Sequence, residues 1–435
     1  MADPRAIVIA APSSGSGKTL VTLGLLRALA KSGRPVSSAK AGPDYIDPRF
    51  HEAASGRPCF NLDSWAMDEN HVRTLATHCA AGSELMLIEG VMGLFDGAAG
   101  GGGSTADLAT LLGLPVILVV DAPRQGQSVA ALVKGFAEFE ADCHVAGVIL
   151  NRISSATHAA LLTEAIEPLG IPVLGAVPED KDVIVPSRHL GLIQAGEHKA
   201  LDDFLNHAAD LMCKSVGLER LAGMARSLET MTSDAFDLPP LGQRMAIAND
   251  EAFGFAYPHM LDGWQKAGVE IFPFSPLANE APETTADAIF LPGGYPEIHA
   301  GKLASNSNFL QGLKTAAGNG SLIYGECGGF MVLGEALTDA DGKTHQMSGL
   351  LPLKTSFARR GLKLGYRKLR QSNALPWPRN LRGHEFHYST LEWQGDAETL
   401  FEAEDSRAQV LGAMGLRRGN VMGSYAHVIA AEAGP

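Results

Sequence analysis

Short apolar runs alternate with helix-like segments through the first half of the chain, and this alternation restricts the fold more than any other feature. The runs "AIVIAAP", "LMLIEG", "LPVILVVD" and "VAGVILNR" are apolar and rich in β-branched residues, as buried parallel strands are. The segments between them, such as "TLVTLGLLRALAKSG", have helical character and end at a glycine. Because parallel strands need crossover connections, the pattern predicts an α/β fold whose parallel sheet is covered by helices on both faces.

A second series of strand-like runs follows in the second half of the chain: "RMAIAND", "VEIFPFSP", "DAIFLPGG", "GSLIYGEC" and "NVMGSYAHV". The 435 residues also exceed the length of one ordinary domain. Between the two series, "SDAFDLPPLGQR" carries two adjacent prolines, as linkers often do. We therefore predict two α/β domains, at residues 1–235 and 244–435, joined by a linker at residues 236–243.

The stretch "APSSGSGKT" follows the first predicted strand and opens the first predicted helix, which is the context that a phosphate-binding loop requires. Such a loop binds phosphate through consecutive backbone N–H groups and a helix N-terminus, with a lysine as mobile positive charge. Pro12 stands where the standard loop has its first glycine, so the chain must enter this loop differently. The candidate ATP-binding residues are Ser14, Gly15, Ser16, Gly17, Lys18 and Thr19.

Acidic side chains follow several of the predicted strands, where a magnesium ion bound with ATP would need oxygen ligands. Glu89 and Asp96 belong to "LIEGVMGLFDG", and Asp44 and Asp47 belong to "AGPDYIDP". Acids at strand ends also cap turns and helices, but four of them in glycine-rich loops favour a site. The predicted metal ligands are Thr19, Asp44 and Glu89. Asn151, at the end of a later strand, suits recognition of an adenine edge.

Partition-type ATPases, a competing class, carry an additional lysine five residues before the main lysine of the loop. Ser13 occupies that position here, which weakens the prediction of a nucleotide-driven dimer switch.

The stretch "IYGECGGF" has the form G-x-C-x-G after a predicted buried strand, a sharp strand-to-helix turn that exposes its central side chain. Cys327 would lie at a helix N-terminus, where the helix dipole favours the thiolate. His427 in "SYAHV" is the candidate base. The backbone N–H groups of Gly293, Gly294 and Gly328 are candidates for binding an oxyanion. A lone cysteine is more often inert, but the glycines and the late histidine favour a nucleophile.

Composition excludes several other classes of function. The formal net charge of −13 argues against nucleic acid as a partner. No apolar run reaches the length that spans a membrane, and the N-terminal segment resembles a strand rather than a signal peptide. Five cysteines without paired spacing indicate neither a disulfide framework nor a zinc site, and they suit a reduced cytoplasm.

The chain resembles the corrin a,c-diamide synthases over its whole length. The motifs that carry the resemblance are "APSSGSGKT", "KAGPDYIDPRFH", "LIEGVMGLFDG", "LNR", "LPGGYPE", "YGECGGFMVLGE", "RGHEFHYS" and "GNVMGSYAHV". The resemblance implies a P-loop, dethiobiotin-synthetase-like ATP domain followed by a class I (triad) glutamine amidotransferase domain. It implies ATP with Mg²⁺, L-glutamine and a corrin polycarboxylate as ligands, and no nucleic acid or membrane partner. If the chain associates with itself, we expect a homodimer.

The activity implied by the resemblance is amidation of the a and c carboxylates of hydrogenobyrinic acid in cobalamin biosynthesis. ATP would convert each carboxylate to an acyl phosphate, and glutamine would supply ammonia. Candidate residues for the corrin are Asp44, Tyr45, Ile46, Asp47 and Asp96, with Arg359 and Arg360 from the basic run "SFARRGLKLGYRKLR". In "HEFH", a structural or substrate-facing role for His384 and His387 is favoured over metal binding.

One position departs from the usual pattern of class I glutaminases, which have a glutamate two residues after the histidine. That position is Ile429, so the third member of the triad is missing and the group that orients His427 is not identified.

Three alternatives to the hydrogenobyrinate reaction stay open. The same reaction on cobyrinic acid and the related cobyric acid synthase reaction use the same two chemistries. A nucleotide-dependent regulator with an inactive glutaminase domain is disfavoured because Cys327 and His427 are both present.

Overall fold

A computed structural model of the chain describes residues 4–181, 183, 187–188, 191–192, 194–231 and 238–432. The chain divides into two compact units, one formed by Met1–Ala98 and Gly102–Asp234, the other by Ala99–Gly101 and Ala235–Pro435. Part of the predicted linker at residues 236–243 lies outside the described residues, because residues 232–237 are not described.

The first unit alternates strands and helices, as the apolar runs predict. Its elements are β1 (Arg5–Ala10), α1 (Lys18–Lys31), β2 (Val36–Ala41), α2 (Asp47–Ser55), β3 (Phe60–Leu62), α3 (Glu69–Ala80), β4 (Leu85–Glu89), α4 (Thr105–Leu112), β5 (Val116–Asp121), α5 (Val129–Glu138), β6 (Val145–Ile153), α6 (Ala156–Ile166), β7 (Val173–Pro178), β8 (Ser187–Arg188), β9 (Gly191–Leu192), α7 (Leu201–Ser215), α8 (Leu218–Met224) and β10 (Arg226–Ser227).

The strands of this unit form a parallel sheet in the order β3-β2-β4-β1-β5-β6-β7, with β10 antiparallel to the start of β1. Strands β1, β2 and β4 are buried along almost their whole length, since helices cover both faces. Strand β1 lies at the centre of the sheet. The next strand in the chain, β2, lies on one side of β1, and the later strand β5 pairs with β1 on the other side. Ligands of open parallel sheets bind outside the carboxyl ends of the strands at such a reversal of strand order. The predicted parallel-sheet domain is confirmed.

The second unit begins in the same way and then changes character. Its elements are β11 (Arg244–Ala248), α9 (Pro258–Lys266), β12 (Glu270–Phe274), β13 (Ala288–Leu291), α10 (Ala300–Ser305), α11 (Ser307–Gly318), β14 (Leu322–Glu326), α12 (Gly328–Leu333), β15 (Ala336–Thr338), β16 (Thr344–Gln346), β17 (Leu353–Ser356), β18 (Lys363–Gln371), β19 (Asn380–His387), β20 (Thr390–Gln394), β21 (Glu398–Asp405), β22 (Val410–Arg418), β23 (Val421–Ser424) and β24 (His427–Ala431).

The main sheet of this unit has the order β12-β11-β13-β14-β23-β22-β21-β18-β19-β24. The strands from β12 to β23 are parallel to one another, whereas the pairs from β23 to β24 are antiparallel. A smaller sheet, β16-β15-β17-β20, follows the cysteine elbow. The α/β character of the domain is confirmed. The antiparallel extension was not predicted, because its half-exposed strands lack the continuous apolar runs of the buried ones.

In the part of the chain that the structure describes, no helix combines the length and the apolar character needed to cross a membrane. The five cysteines all lie in the described residues and form no disulfide, and Cys213 is exposed.

Helix α1, which starts at the phosphate-binding loop, lies close against α7. The contact depends on Gly24, because a Cβ atom there would lie 2.7 Å from the carbonyl oxygen of Ala208 and 2.6 Å from Cγ of Met212. Gly24 therefore fixes the distance between the helix that carries the loop and its neighbour.

We predict that Gly24→Ala destabilises the protein although alanine favours helix by about 1 kcal/mol, since overpacking of this kind costs about 1–3 kcal/mol. The matched control is Gly135→Ala in α5. Gly135 is exposed, and nothing lies within 4 Å of a Cβ added there. That change should stabilise the protein by up to about 1 kcal/mol. Urea unfolding followed by circular dichroism measures both, and equal stabilisation by the two changes would contradict the close contact.

Candidate functional sites

The first site is built on the loop between β1 and α1. Gly15 and Gly17 have φ of +80° and +87°, a region in which only glycine is unstrained. The side-chain amide of Asn151 donates to the carbonyl oxygen of Ser16 (2.9 Å), and Arg152 donates to that of Gly15 (2.8 Å). Because these bonds engage loop carbonyls, they are compatible with a phosphate bound by loop N–H groups.

Thr19 and Glu89 meet at the carboxyl ends of the strands, as the sequence predicts. The hydroxyl of Thr19 donates to Oε1 of Glu89 (2.6 Å) and lies 3.4 Å from Oδ2 of Asp47. Lys18 is buried at the start of α1, and burial together with the charge of Lys40 lowers the pKa of Lys18. The site therefore contains two lysines, whereas the sequence predicts one.

Lys40, which the sequence analysis missed as a site residue, lies at the centre of this cluster. Its Nζ donates to Oδ2 of Asp47 (2.5 Å), to Oε1 of Glu89 (2.9 Å) and to the carbonyl oxygen of Gly90 (3.3 Å). Burial alone would lower the pKa of Lys40, but the charges of Asp47 and Glu89 outweigh it and hold the pKa above its ordinary value. A charged residue inside the otherwise uncharged strand "VSSAKA" is the signal that could have identified it.

His51 supports Glu89 from the other side. Its Nε2 lies 2.6 Å from Oε2 of Glu89, and its Nδ1 lies 3.6 Å from Sγ of Cys59. Burial disfavours the charged forms of both groups, yet Lys40 and His51 hold the pKa of Glu89 well below its usual range. Glu89 is thus an anion held by Thr19, Lys40 and His51.

The other predicted residues of this unit occupy different places. Asp44 uses Oδ1 to accept the backbone N–H groups of residues 46 and 47, at the start of α2. It is therefore Asp47, rather than Asp44, that joins Thr19 and Glu89, and the metal role of Asp44 stays a prediction. Asp96 is exposed and accepts the N–H of Gly93 in a turn. Tyr45 is half-buried and Ile46 is buried.

Thr19, Asp47 and Glu89 bring together oxygen atoms of the kind that Mg²⁺ prefers. Two of these atoms, Oδ2 of Asp47 and Oε1 of Glu89, accept hydrogen bonds from Lys40. Burial and the neighbouring Asp44 raise the pKa of Asp47 to about 6, so this carboxylate is ionised at neutral pH. In the described residues, this cluster included, no group of three or more His, Cys, Asp or Glu side chains has the geometry of a metal site.

The second site is the turn between β14 and α12. Cys327 has a φ of +46°, a strained value for a residue other than glycine, and its N–H donates to the carbonyl oxygen of Ser424 (2.8 Å). A Cβ on Gly329 would lie 1.9 Å from the carbonyl oxygen of Leu291, so only glycine allows the turn to pack this closely. The predicted elbow is present.

His427 and the predicted glycines lie at this elbow. A carbon added to Gly293 would lie 3.0 Å from Nε2 of His427 and 3.2 Å from Cβ of Cys327, so the imidazole and the thiol border the same small space. A carbon added to Gly328 would lie 3.1 Å from the backbone nitrogen of Gly294. The structure brings the candidate nucleophile, base and oxyanion donors together, while their roles stay predictions.

The protonation states differ from the predicted thiolate. Burial, aided by the charge of Glu297, raises the pKa of the Cys327 thiol above its usual range and outweighs the short helix α12. Burial also lowers the pKa of His427 to about 3. In the resting protein the pair is therefore a neutral thiol beside a neutral imidazole.

The motif "HEFH" forms a buried network in place of a metal site. Arg367 donates to Oε2 of Glu385 (2.7 Å), and Nε2 of His387 lies 2.7 Å from Oε1 of the same carboxylate. Arg367 thus belongs to the core, whereas Arg359 and Arg360 are exposed in the loop before β18.

Two family models match the two parts of the chain. Residues 7–193 match the CobQ/CobB/MinD/ParA nucleotide binding domain, and residues 244–435 match the CobB/CobQ-like glutamine amidotransferase domain. A solved structure described as a glutamine amidotransferase is 15% identical, covers 42% of this chain and 89% of its own, and has a TM-score of 0.31.

Much closer relatives share the name hydrogenobyrinate a,c-diamide synthase. The protein from Brucella anthropi is 53% identical over 429 residues, which are 98% of each chain. The protein from Rhizobium meliloti is 51% identical over 423 residues, 97% of this chain and 98% of its own. The protein from Mesorhizobium japonicum is 50% identical over 433 residues, 98% of each chain.

We predict that Lys40→Met lowers the free energy of unfolding by about 3–5 kcal/mol, because it leaves Asp47 and Glu89 buried without their shared cation. The control is Arg49→Met, which removes an exposed partner of Glu52 (3.1 Å) and should cost less than about 1 kcal/mol. Denaturant unfolding of the two variants and the wild type measures this, and an unchanged stability of Lys40→Met would show that the buried pairs are not held together as described.

Proposed function

The chain belongs to the family of hydrogenobyrinate a,c-diamide synthases, and on this premise we propose that it amidates the a and c side-chain carboxylates of hydrogenobyrinic acid at the expense of ATP and glutamine. The observation that carries the proposal is one chain with both required sites, a phosphate loop beside a buried acid–lysine cluster and a cysteine elbow with its histidine. Relatives of that name match it at 50–53% identity over nearly its whole length.

The first site is proposed to activate the substrate, whose carboxylate is unreactive toward ammonia. A carboxylate does not react with ammonia at useful rates, because it is anionic and its leaving group would be oxide. Transfer of the γ-phosphoryl group of ATP to the carboxylate gives an acyl phosphate with a good leaving group. Lys18 would neutralise charge on the transferred group, and the loop N–H groups would hold the other phosphates. Mg²⁺, held by Thr19, Asp47 and Glu89, would screen the phosphate charges.

The second site supplies the nitrogen. Nε2 of His427 takes the thiol proton as the sulfur of Cys327 attacks the side-chain amide carbon of glutamine. The backbone N–H groups of Gly293, Gly294 and Gly328 would bind the oxyanion that forms. Its collapse breaks the C–N bond, the imidazolium returns its proton to the leaving nitrogen, and ammonia departs. Water then hydrolyses the thioester and releases glutamate.

The residues proposed to bind the corrin are chosen by the size and charge of their side chains. Tyr45 and Ile46, beside the acid–lysine cluster, are proposed to shape its pocket, with Asp44, Asp47 and Asp96 positioning the carboxylate that reacts. Exposed Arg359 and Arg360 are proposed to attract its other carboxylates in a protein of net charge −13.

The reaction is proposed to run in the cytoplasm, where free thiols stay reduced.

The substrate assignment is tested by phosphate release with purified protein, ATP, Mg²⁺ and glutamine. Hydrogenobyrinic acid should give a kcat/KM at least about tenfold above that for cobyrinic acid, a difference of about 1.4 kcal/mol in transition-state stabilisation. The products should be the a,c-diamide and two phosphates per corrin. A preference for cobyrinic acid, or amidation at other side chains, would replace the proposed substrate.

The division of labour predicts opposite behaviour of two variants. Cys327→Ser should abolish glutamine-dependent amidation, because the hydroxyl has a far higher pKa than the thiol, and it should keep ammonia-dependent amidation at mildly alkaline pH. Lys18→Ala should abolish amidation from either nitrogen source and keep glutamine hydrolysis. Each variant is expected to keep one of the two activities, and the retained activity shows that the variant protein still folds. If Cys327→Ser still uses glutamine, the nucleophile is a different residue.

A further inference from the structure

The position that usually supplies the acid of a Cys–His–acid triad cannot do so here. That position is Ile429, which is buried and uses its carbonyl oxygen to bond Nε2 of His259 (2.9 Å). A base of this kind needs a partner, because the group bonded to one ring nitrogen decides which nitrogen carries the proton. The acid must come from elsewhere if His427 is oriented in the same way.

Glu326 lies on the Nδ1 side of the His427 ring. It is the last residue of β14, directly before the nucleophile, and only 1% of its surface is exposed. Its Oε1 accepts the backbone N–H of Val428 (3.0 Å) and the hydroxyl of Tyr324 (3.1 Å). Its Oε2 lies 3.7 Å from Nδ1 of His427.

We propose that Glu326 is the positioning residue that orients His427 and fixes its tautomer, so that the acid of the triad precedes the nucleophile in the chain instead of following the base. This inference rests on the proposed glutaminase function of Cys327. The ionised carboxylate accepts the proton on Nδ1, which leaves the lone pair of Nε2 directed at the thiol. The gap of 3.7 Å needs to shorten by roughly 1 Å to become a hydrogen bond, and such bonds commonly tighten when substrate binds.

The arrangement requires the ionised form of Glu326. Burial raises the pKa of Glu326 to about 8 despite the opposing bonds from Val428 and Tyr324, so the carboxylate prevails above about pH 8 or when a positive charge arises beside it. When His427 takes the thiol proton it becomes positive, and a positive neighbour favours the ionised carboxylate. The carboxylate and the imidazolium therefore stabilise each other at the moment when the sulfur becomes the nucleophile.

A purely structural role and a positioning role of Glu326 predict different outcomes for Glu326→Gln. The glutamine keeps an oxygen for Val428 and Tyr324, so the bonds to β24 and β14 survive. Its amide N–H, however, donates to Nδ1 of His427 and so places the ring proton on Nε2, the atom that must accept the thiol proton. In a serine protease triad, the corresponding acid-to-amide change lowers kcat by about 10⁴-fold through this tautomer.

The experiment measures glutamine hydrolysis and ammonia-dependent amidation by the full-length protein. For Glu326→Gln we expect kcat for glutamine to fall at least about 100-fold while KM changes less than about threefold, because the interaction acts mainly in the transition state. Ammonia-dependent amidation should stay within about twofold of wild type, because the ATP site does not use this residue. The control is Tyr324→Phe, which removes one bond at the other carboxylate oxygen and should keep kcat within about fivefold.

A kcat of Glu326→Gln close to wild type, or a loss equally large in Tyr324→Phe, would overturn the inference. If Glu326→Gln does not fold, Glu326→Asp and Glu326→Asn form a second pair that is matched in size and differs in charge, and the aspartate must retain the higher glutaminase activity. Equal activity of that pair is evidence against a positioning carboxylate. A failure of the proposed glutaminase role of Cys327 is distinguishable from a failure of this inference. In the first case, Cys327→Ala would still hydrolyse glutamine.

Discussion

Both sites depend on one constraint, the convergence of parallel strand ends, where the chain must turn sharply while its side chains stay buried. In the first unit, Gly15 and Gly17 make the turn with positive φ at no steric cost. In the second, Cys327 makes it with a φ of +46°, a strain of about 1–3 kcal/mol that the surrounding contacts must hold. The bond from its N–H to Ser424 and the close packing of Gly329 on Leu291 provide that support. The fold therefore places the candidate reactive atoms by turning the backbone at the carboxyl ends of buried strands.

Burial has opposite electrical consequences at the two sites. Around Lys40, charges of both signs are buried together, and each pKa shift of Lys40 and Glu89 favours the charged form. A site of this kind is organised before a highly charged nucleotide arrives, so little reorganisation is needed. At the elbow, burial keeps Cys327 and His427 neutral. In the proposed mechanism, such a pair reacts with a substrate that brings its amide carbon against the sulfur and its oxygen against the candidate oxyanion donors.

The sequence predicted most of the individual strands and turns, and it predicted few of the contacts between strands that are distant in the chain. The strands β1, β4, β5 and β6, the loop before α1 and the elbow at Cys327 all carry continuous patterns of glycine and apolar residues. Lys40 was missed because it lies inside a buried strand, and only its partners on β4 and α2 make it part of the site. The antiparallel strands β18–β22 were missed for a related reason, since their exposed faces interrupt the apolar runs. Glu326 belongs to a quoted motif, yet nothing in the spacing of that motif places it against His427.

Chain order is a weak guide to triad geometry, because the same arrangement of nucleophile, base and acid occurs in unrelated orders in different folds. The contacts of Glu326 give a physical reason for an acid that precedes the nucleophile. One carboxylate oxygen accepts the backbone N–H of Val428 in β24, and the other lies 3.7 Å from Nδ1 of His427. In the proposed arrangement a single side chain therefore positions both the strand that carries the base and the base itself. Because Glu326 is bonded to Cys327 through the backbone, any shift of the elbow moves the acid and the nucleophile together. An acid placed after His427 would follow the motion of β24 instead. The proposed order therefore links nucleophile and acid through the elbow, whose strained turn is held by the bond to Ser424 and by the packing of Gly329 on Leu291.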